Sequence, residues 1–304
     1  MKYRKLGPSD LYVSEIGLGC MSLPADEAEA IRILHAAFDA GVNFFDTADL
    51  YQHGRNEEVV GRAFKDRRDK VILATKVGNR WRPDGSGWDW DPSKAYIKQA
   101  VYESLRRLGT DYIDLYQLHG GTIDDPVDET IEAFEELKQA GVIRWYGISS
   151  IRPNVIRTWV AKSRMVSVMM QYSILDRRPE EEMLDLLARH GIAVIARGPV
   201  ARGLLSARTL QPDVDVPAYL GHTPEEILRL VERLQGLTLP NRTLAQTALR
   251  YALAHPAVAT VIPGASRIEQ LQENLGAAGA PELTAEELAQ IRSWIKAEVY
   301  TQHR

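Results

Sequence analysis

The feature that most narrows the fold is an alternation. Short apolar runs at residues 16–19, 42–45, 71–76, 112–118, 142–148, 166–172, 193–196 and 259–262 are separated by stretches of helical periodicity. The runs are too brief for helices, and they show little of the polar–apolar alternation of a strand with one wet face. They read as strands buried on both faces, the habit of parallel sheets covered by helices. The predicted helices fall at 25–40, 56–65, 93–108, 127–140, from about 153, 180–190 and 267–275. Ile31, Leu34 and Phe38 share a face in the first, as do Ile97, Val101, Leu105 and Leu108 in the third. A further helix over 284–298 opens with a capping box, Thr284 to Glu287.

Strand–helix repeats of this kind join in parallel through right-handed crossovers. Eight of them are used most simply by a closed α/β barrel, the (β/α)8 TIM barrel; an open doubly wound sheet is the competitor. Ahead of the repeats, two short segments flank Gly7-Pro8-Ser9-Asp10, whose turn chemistry predicts an N-terminal β-hairpin. Two connections exceed ordinary loops, 77–92 with Trp81, Trp88 and Trp90, and 198–242. With no internal repeat of short period and no low-complexity segment, residues 1–304 read as a single domain.

Charge and cysteine usage exclude several classes. The net charge of −4 and the lack of a basic cluster do not favour nucleic acid or a membrane surface. Cys20 is the only cysteine, so neither an internal disulfide nor a thiolate metal cluster is available, and no metal is expected. No apolar run follows Met1-Lys2-Tyr3-Arg4-Lys5, and none approaches the ~18 residues of a membrane span. The expected location is cytoplasmic, with no obligate protein partner evident.

In a barrel, functional groups gather where the strands end. The ends of the second, third and fourth strands read Asp46, Lys76 and His119, and Tyr51 follows in the loop above the second. Asn56 reads as the cap of the next helix, with Glu57 and Glu58 in its first turn. A carboxylate, an ammonium, a phenol and an imidazole then meet at one mouth. An ammonium beside a phenol favours the phenolate, which makes Tyr51 a usable general acid. Asp46 would keep Lys76 charged and in place, and His119 could orient a substrate oxygen. Such a site polarises a carbonyl and protonates the oxygen. It lacks a nucleophile for acyl transfer, and the electron pair it needs is one a nicotinamide can supply.

The stretches Phe44-Phe45-Asp46-Thr47-Ala48-Asp49-Leu50-Tyr51 with Asn56-Glu57, Ala74-Thr75-Lys76, and Asp111-Tyr112-Ile113-Asp114-Leu115-Tyr116-Gln117-Leu118-His119 resemble the signatures of the aldo-keto reductases. The likeness runs from the hairpin to the last helix. It implies a (β/α)8 barrel and NADPH-linked reduction of a small aldehyde or ketone. It also implies Tyr51 as acid, Lys76 and Asp46 as its tuning pair, and His119 as orienter.

By the same resemblance Ser149 and Gln171 hold the nicotinamide amide, with Ser150 where the family usually has Asn. Gly19, ending the first strand, joins the cofactor set. Arg197 occupies the position of an aromatic that stacks on the nicotinamide in many members. The loop 201–206, with Gly203 and Leu204, resembles the segment covering the pyrophosphate. Gly264, Ser266 and Arg267 open the last barrel helix, where a helix N-terminus favours the adenosine phosphate; Gln270 and Asn274 continue toward the adenine. The absence of GxGxxG argues against the open-sheet dinucleotide fold. Trp81, Trp88 and Trp90 fit either an aromatic-walled substrate pocket or the packing of a long loop. Two rival functions are a cofactor-binding regulatory subunit that senses redox state, and an aldolase or isomerase with Lys76 as a Schiff base.

Overall fold

The computed structural model describes residues 1–304. A hairpin of β1 (Tyr3–Lys5) and β2 (Tyr12–Ser14) comes first, antiparallel with Tyr3 opposite Ser14. Next come β3 (Leu18–Gly19), β4 (Phe44–Asp46), β5 (Ile72–Val77), a small hairpin of β6 (Asn79–Trp81) and β7 (Trp88–Trp90), then β8 (Ile113–Leu118), β9 (Ile143–Ser149), β10 (Ser167–Gln171), β11 (Ala193–Arg197) and β12 (Val258–Ile262). Eight of these lie parallel in the order β3-β4-β5-β8-β9-β10-β11-β12. Parallel bridges from Ile16 to Val261 and from Gly19 to Gly264 close the ring. The barrel expected from the alternation is the one observed.

Helices α1 (Glu27–Asp39), α2 (Arg55–Phe64), α3 (Lys94–Leu108), α4 (Val127–Gln139), α5 (Pro153–Lys162), α6 (Met183–Arg189), α7 (Pro224–Gln235), α8 (Leu244–Leu253), α9 (Ile268–Gly276) and α10 (Ala285–Trp294) complete the chain. Strand periodicity of two divides each barrel strand between an outer and an inner face. Outward residues such as Phe45, Leu73, Val77 and Leu118 join the large core beneath the helices. Inward residues Phe44, Ile72, Ala74, Leu115, Met169 and Ile195 form a separate small core inside the barrel.

Leu6, Leu11 and Val13 of the hairpin belong to that inner core and seal the N-terminal end of the barrel. Each such side chain contributes about 1.5–3 kcal/mol on burial. The approach is close: at Gly7, φ +56°, an added Cβ would meet the Val166 carbonyl oxygen at 2.2 Å. The inner face is therefore apolar and closed below. Continuing the same period upward places Asp46, Lys76, Gln117, Gln171 and Arg197 at the open, C-terminal end.

Several local expectations need correction. Asn56 does not cap α2: Gly54 stands at the cap, with φ +84°, and Asn56 lies inside the helix. The long connection 198–242 contains α7, whose Thr223–Glu226 capping box and Ile227, Leu230, Val231 and Leu234 stripe were legible. The barrel helix α8, capped by Thr243 and Gln246, was also missed; every one of its residues is buried, so it shows no polar face to reveal the period. Its Arg250 pairs with buried Glu15 at 3.2 Å, tying the helix to the base of the barrel. The connection 77–92 is partly the β6–β7 hairpin, with Trp81 opposite Trp88. Helix α10 ends at Trp294, short of 298.

Candidate active site

Asp46 ends β4 and Lys76 lies one residue before the end of β5, both inward and both buried. The Lys76 ammonium donates to Asp46 Oδ2 at 2.6 Å, to the Thr47 carbonyl at 2.7 Å and to the Tyr51 hydroxyl at 3.1 Å. Gln117 Nε2 donates to the other Asp46 oxygen at 3.2 Å. Burial opposes the ammonium, but the Asp46 and Tyr51 oxygens outweigh it and hold the Lys76 pKa above its ordinary value. Burial holds the Asp46 carboxyl above its ordinary value, and Lys76 and Gln117 offset that rise only in part.

Tyr51 is delivered by a tight loop. Gln52 and His53 follow it with φ of +50° and +54°, and Gly54 continues the left-handed run. At Gly54 a Cβ would stand 2.6 Å from Arg107 Cδ, so both conformation and space ask for glycine. His53 stacks on Trp81 at 3.7 Å between ring centroids. Trp81 stands outside the cavity wall, unlike Trp88 and Trp90, which line it.

The Asn56-Glu57 pair has a role that a capping reading does not anticipate. Asn56 Oδ1 accepts from the Thr47 hydroxyl at 2.6 Å, and its Nδ2 donates to the Cys20 carbonyl at 2.9 Å. Thr47 is the residue whose carbonyl receives Lys76. Glu57 accepts from the Thr75 hydroxyl at 2.5 Å and from Arg107 Nε at 2.6 Å, bracing the residue beside Lys76.

His119 follows β8, with its ring edge-on to Tyr51 at 6.0 Å. Burial first, then the charges of Lys76 and Arg197, lower its pKa to about 3. The imidazole is thus neutral at physiological pH, and its Nδ1 is buried without a partner. Asp46, Tyr51, Lys76 and His119 share one cavity of about 990 Å³. The arrangement can hold a proton on Tyr51, charge the group behind it, and offer a neutral imidazole to a second oxygen lone pair.

The cavity wall continues through Gly19, Ser149, Ser150, Gln171, Arg197, Gly203, Gly264, Ser266 and Gln270. Four residues of the expected cofactor and substrate sets stand outside it: Leu204, Arg267, Asn274 and Trp81. Leu204 is packed into the outer core. Asn274 braces the wall instead, donating to the Gly264 carbonyl at 3.2 Å. Arg267 is exposed at the N-cap of α9. Gln270 accepts from both the amide and the hydroxyl of Ser266 at 3.0 Å.

Arg197 Nη1 donates to Gln171 Oε1 at 2.8 Å, and Gln171 Nε2 donates to the Tyr219 hydroxyl at 2.8 Å. Tyr219 comes from the irregular part of the 198–242 connection, where no periodicity marks it. Arg152 and Arg202 also line the cavity. Arg202 lies in the loop 201–206 expected to cover the pyrophosphate, whereas Arg152, two residues beyond Ser150, was not among the expected site residues.

The donor set suits a dinucleotide. Arg197 and Arg202 meet no carboxylate within 4.0 Å, so both are available to a polyanion. Ser266, two residues before α9, and Gln270 in its first turn stand on the same wall, and a helix N-terminus favours an anion.

A sequence model described as the Aldo/keto reductase family matches residues 15–296. The chain is 57% identical to an uncharacterised oxidoreductase, YqkF, of Bacillus subtilis (strain 168), over the whole of both. It is 33% identical to Aldo-keto reductase yakc [NADP(+)] of Schizosaccharomyces pombe, covering 90% of this chain and 86% of that one. Among solved structures it is similar to aldo-keto reductase AKR11C1 from Bacillus halodurans. For the holo form the TM-score is 0.93 at 58% identity, over 100% of this chain and 99% of that one, against 0.85 for the apo form. With the barrel and the polar cluster at its mouth, these findings place the chain in the aldo/keto reductase family.

Proposed function

We propose that the protein reduces an aldehyde or ketone to the alcohol with NADPH. The observation that carries this reading is the buried chain from Asp46 through Lys76 to Tyr51, opening on a cavity lined with unpaired guanidinium groups. When bound, the cofactor supplies a hydride to the carbonyl carbon. The protein does the rest. Tyr51 donates its hydroxyl proton to the carbonyl oxygen, and Lys76 stabilises the negative charge left on the phenol. Asp46 and the Thr47 carbonyl fix the ammonium, so no reorganisation is needed when that charge appears. Neutral His119 donates a hydrogen bond to the same carbonyl oxygen and sets its direction.

Ser149 and Gln171 would hold the nicotinamide amide, Arg197 would lie against the ring, Gly203 and Arg202 would cover the pyrophosphate, and Ser266 with Arg267 would take the adenosine 2′-phosphate. The name of the S. pombe relative, with its NADP(+), supports the phosphorylated cofactor. The test is Tyr51→Phe. Its carbonyl reduction, followed as NADPH absorbance, should fall by at least about 10²-fold, with cofactor affinity nearly unchanged. A variant that keeps most of its turnover would remove Tyr51 from the mechanism.

A further inference from the structure

Five charged side chains line the cavity: Asp46, Lys76, Arg152, Arg197 and Arg202. Asp46 and Lys76 neutralise each other. The three arginines meet no carboxylate within 4.0 Å, so a chain of net charge −4 carries a positive mouth. Low-dielectric walls focus such a field on anions. In the proposed reading Arg197 and Arg202 face the cofactor. Arg152 is left over.

Arg152 follows β9, three strands round the barrel from β12, whose end leads to Gly264 and Ser266. Its Nη1 donates to the Gly121 carbonyl at 2.5 Å, on the loop that begins with His119. That bond pins the guanidinium to the wall and leaves its other N–H groups unclaimed. Trp90 covers the same loop: a Cβ on Gly120 would sit 3.2 Å from the Trp90 ring. Trp90 is itself held by its indole N–H, which donates to Asp125 at 2.9 Å. A fixed cation and a fixed aromatic face therefore stand together beside His119, on the β8–β9 side of the mouth.

We infer that Arg152 is the subsite for an anionic oxyacid group on the substrate. The preferred substrates are aldehydes or ketones that carry a carboxylate or phosphate, with an apolar body laid against Trp90. A guanidinium held at one nitrogen presents its remaining edge as a fork, which suits a carboxylate or phosphate better than a hydroxyl. This inference rests on the carbonyl-reduction reading of the same cavity.

The experiment compares kcat/KM for charged and neutral partners of similar shape. The pairs are 4-carboxybenzaldehyde with 4-methylbenzaldehyde, and glyceraldehyde 3-phosphate with glyceraldehyde. Wild type should favour at least one anionic member by about ten- to a hundredfold, the range of a charge-assisted contact. The pair that shows the preference identifies carboxylate or phosphate as the group. The preference should shrink as salt is raised. Arg152→Gln should bring the charged-to-neutral ratio within about threefold of one, and Arg152→Lys should restore part of it.

A wild type without preference in either pair, or an Arg152→Gln variant that keeps it, overturns the inference while leaving carbonyl reduction standing. If no aldehyde is turned over, the carbonyl reading fails. Calorimetric binding of 4-carboxybenzoate and of inorganic phosphate then decides the anion site: about tenfold weaker binding of either to Arg152→Gln supports it, and equal binding of both overturns it.

Discussion

Replacing Lys76 by methionine tests the buried chain that the proposed chemistry depends on. The Lys76 side chain is 1% exposed, and methionine keeps most of its stem while removing the ammonium bonded to Asp46, Thr47 and Tyr51. Asp46 would then keep only Gln117, at 3.2 Å, to compensate a buried carboxylate. Breaking a buried pair from one side costs about 3–5 kcal/mol. Replacing both partners should cost less, because no charge is stranded. Lys76→Met/Asp46→Asn should therefore regain about 2 kcal/mol over the single variant, within the range of couplings between contacting groups. Urea unfolding at pH 7 of the wild type, both single variants and the double variant gives the cycle. The wild-type profile adds a sign. A raised lysine pKa contributes stability that is present below the ordinary value of 10.5 and is lost as pH rises through the folded value. Lys76→Met should lack that alkaline loss, and its carbonyl turnover should fall about 10²–10⁴-fold. A double variant no more stable than Lys76→Met would show that Lys76 does not compensate Asp46.

Three further outcomes follow from the same geometry. His119, held at a pKa of about 3 by burial and then by Lys76 and Arg197, binds its proton more weakly folded than unfolded. Stability should then fall as pH drops below 6.5, by about 1.4 kcal/mol per unit from this group. In His119→Gln the loss between pH 6.5 and 5 should be smaller by about 2 kcal/mol in urea unfolding; an unchanged pH dependence would contradict the assignment. Arg197→Met should strengthen NADP⁺ binding relative to NADPH by about threefold, through removal of a charge beside the positive ring; a fixed ratio of the two dissociation constants would place Arg197 away from the ring. Arg267→Ala should weaken NADPH about tenfold and leave NADH little changed, whereas equal weakening of both would make Arg267 structural.

Much of the site was legible because it sits on strands. A period of two and an apolar run ending in a polar residue locate Asp46, Lys76 and the position before His119 without any knowledge of the loops. The barrel followed from the same runs, whose burial on both faces removes the usual alternation. Legibility failed where a residue acts through a contact distant in sequence. Asn56 has a capping residue's chemistry, yet its amide serves Thr47 and Cys20, a pairing that only the folded barrel brings together. Trp81 has a pocket residue's chemistry, yet His53 claims its ring. Tyr219 reaches Gln171 from irregular chain, where no pattern fixes direction. Helix α8 escaped because it is buried all round, although its Thr243–Gln246 box was present in the sequence.

The central claim is that a hydride passes to a carbonyl carbon in the cavity that holds Tyr51 and Lys76. The most direct measurement is mass spectrometry of the alcohol formed from an aldehyde and NADPH deuterated at the transferable C4 position of the nicotinamide. The account predicts one deuterium on the carbinol carbon, formed by the wild type and reduced at least about 10²-fold in Tyr51→Phe. NADPH oxidation that leaves the aldehyde unreduced, or an alcohol free of deuterium, would contradict it.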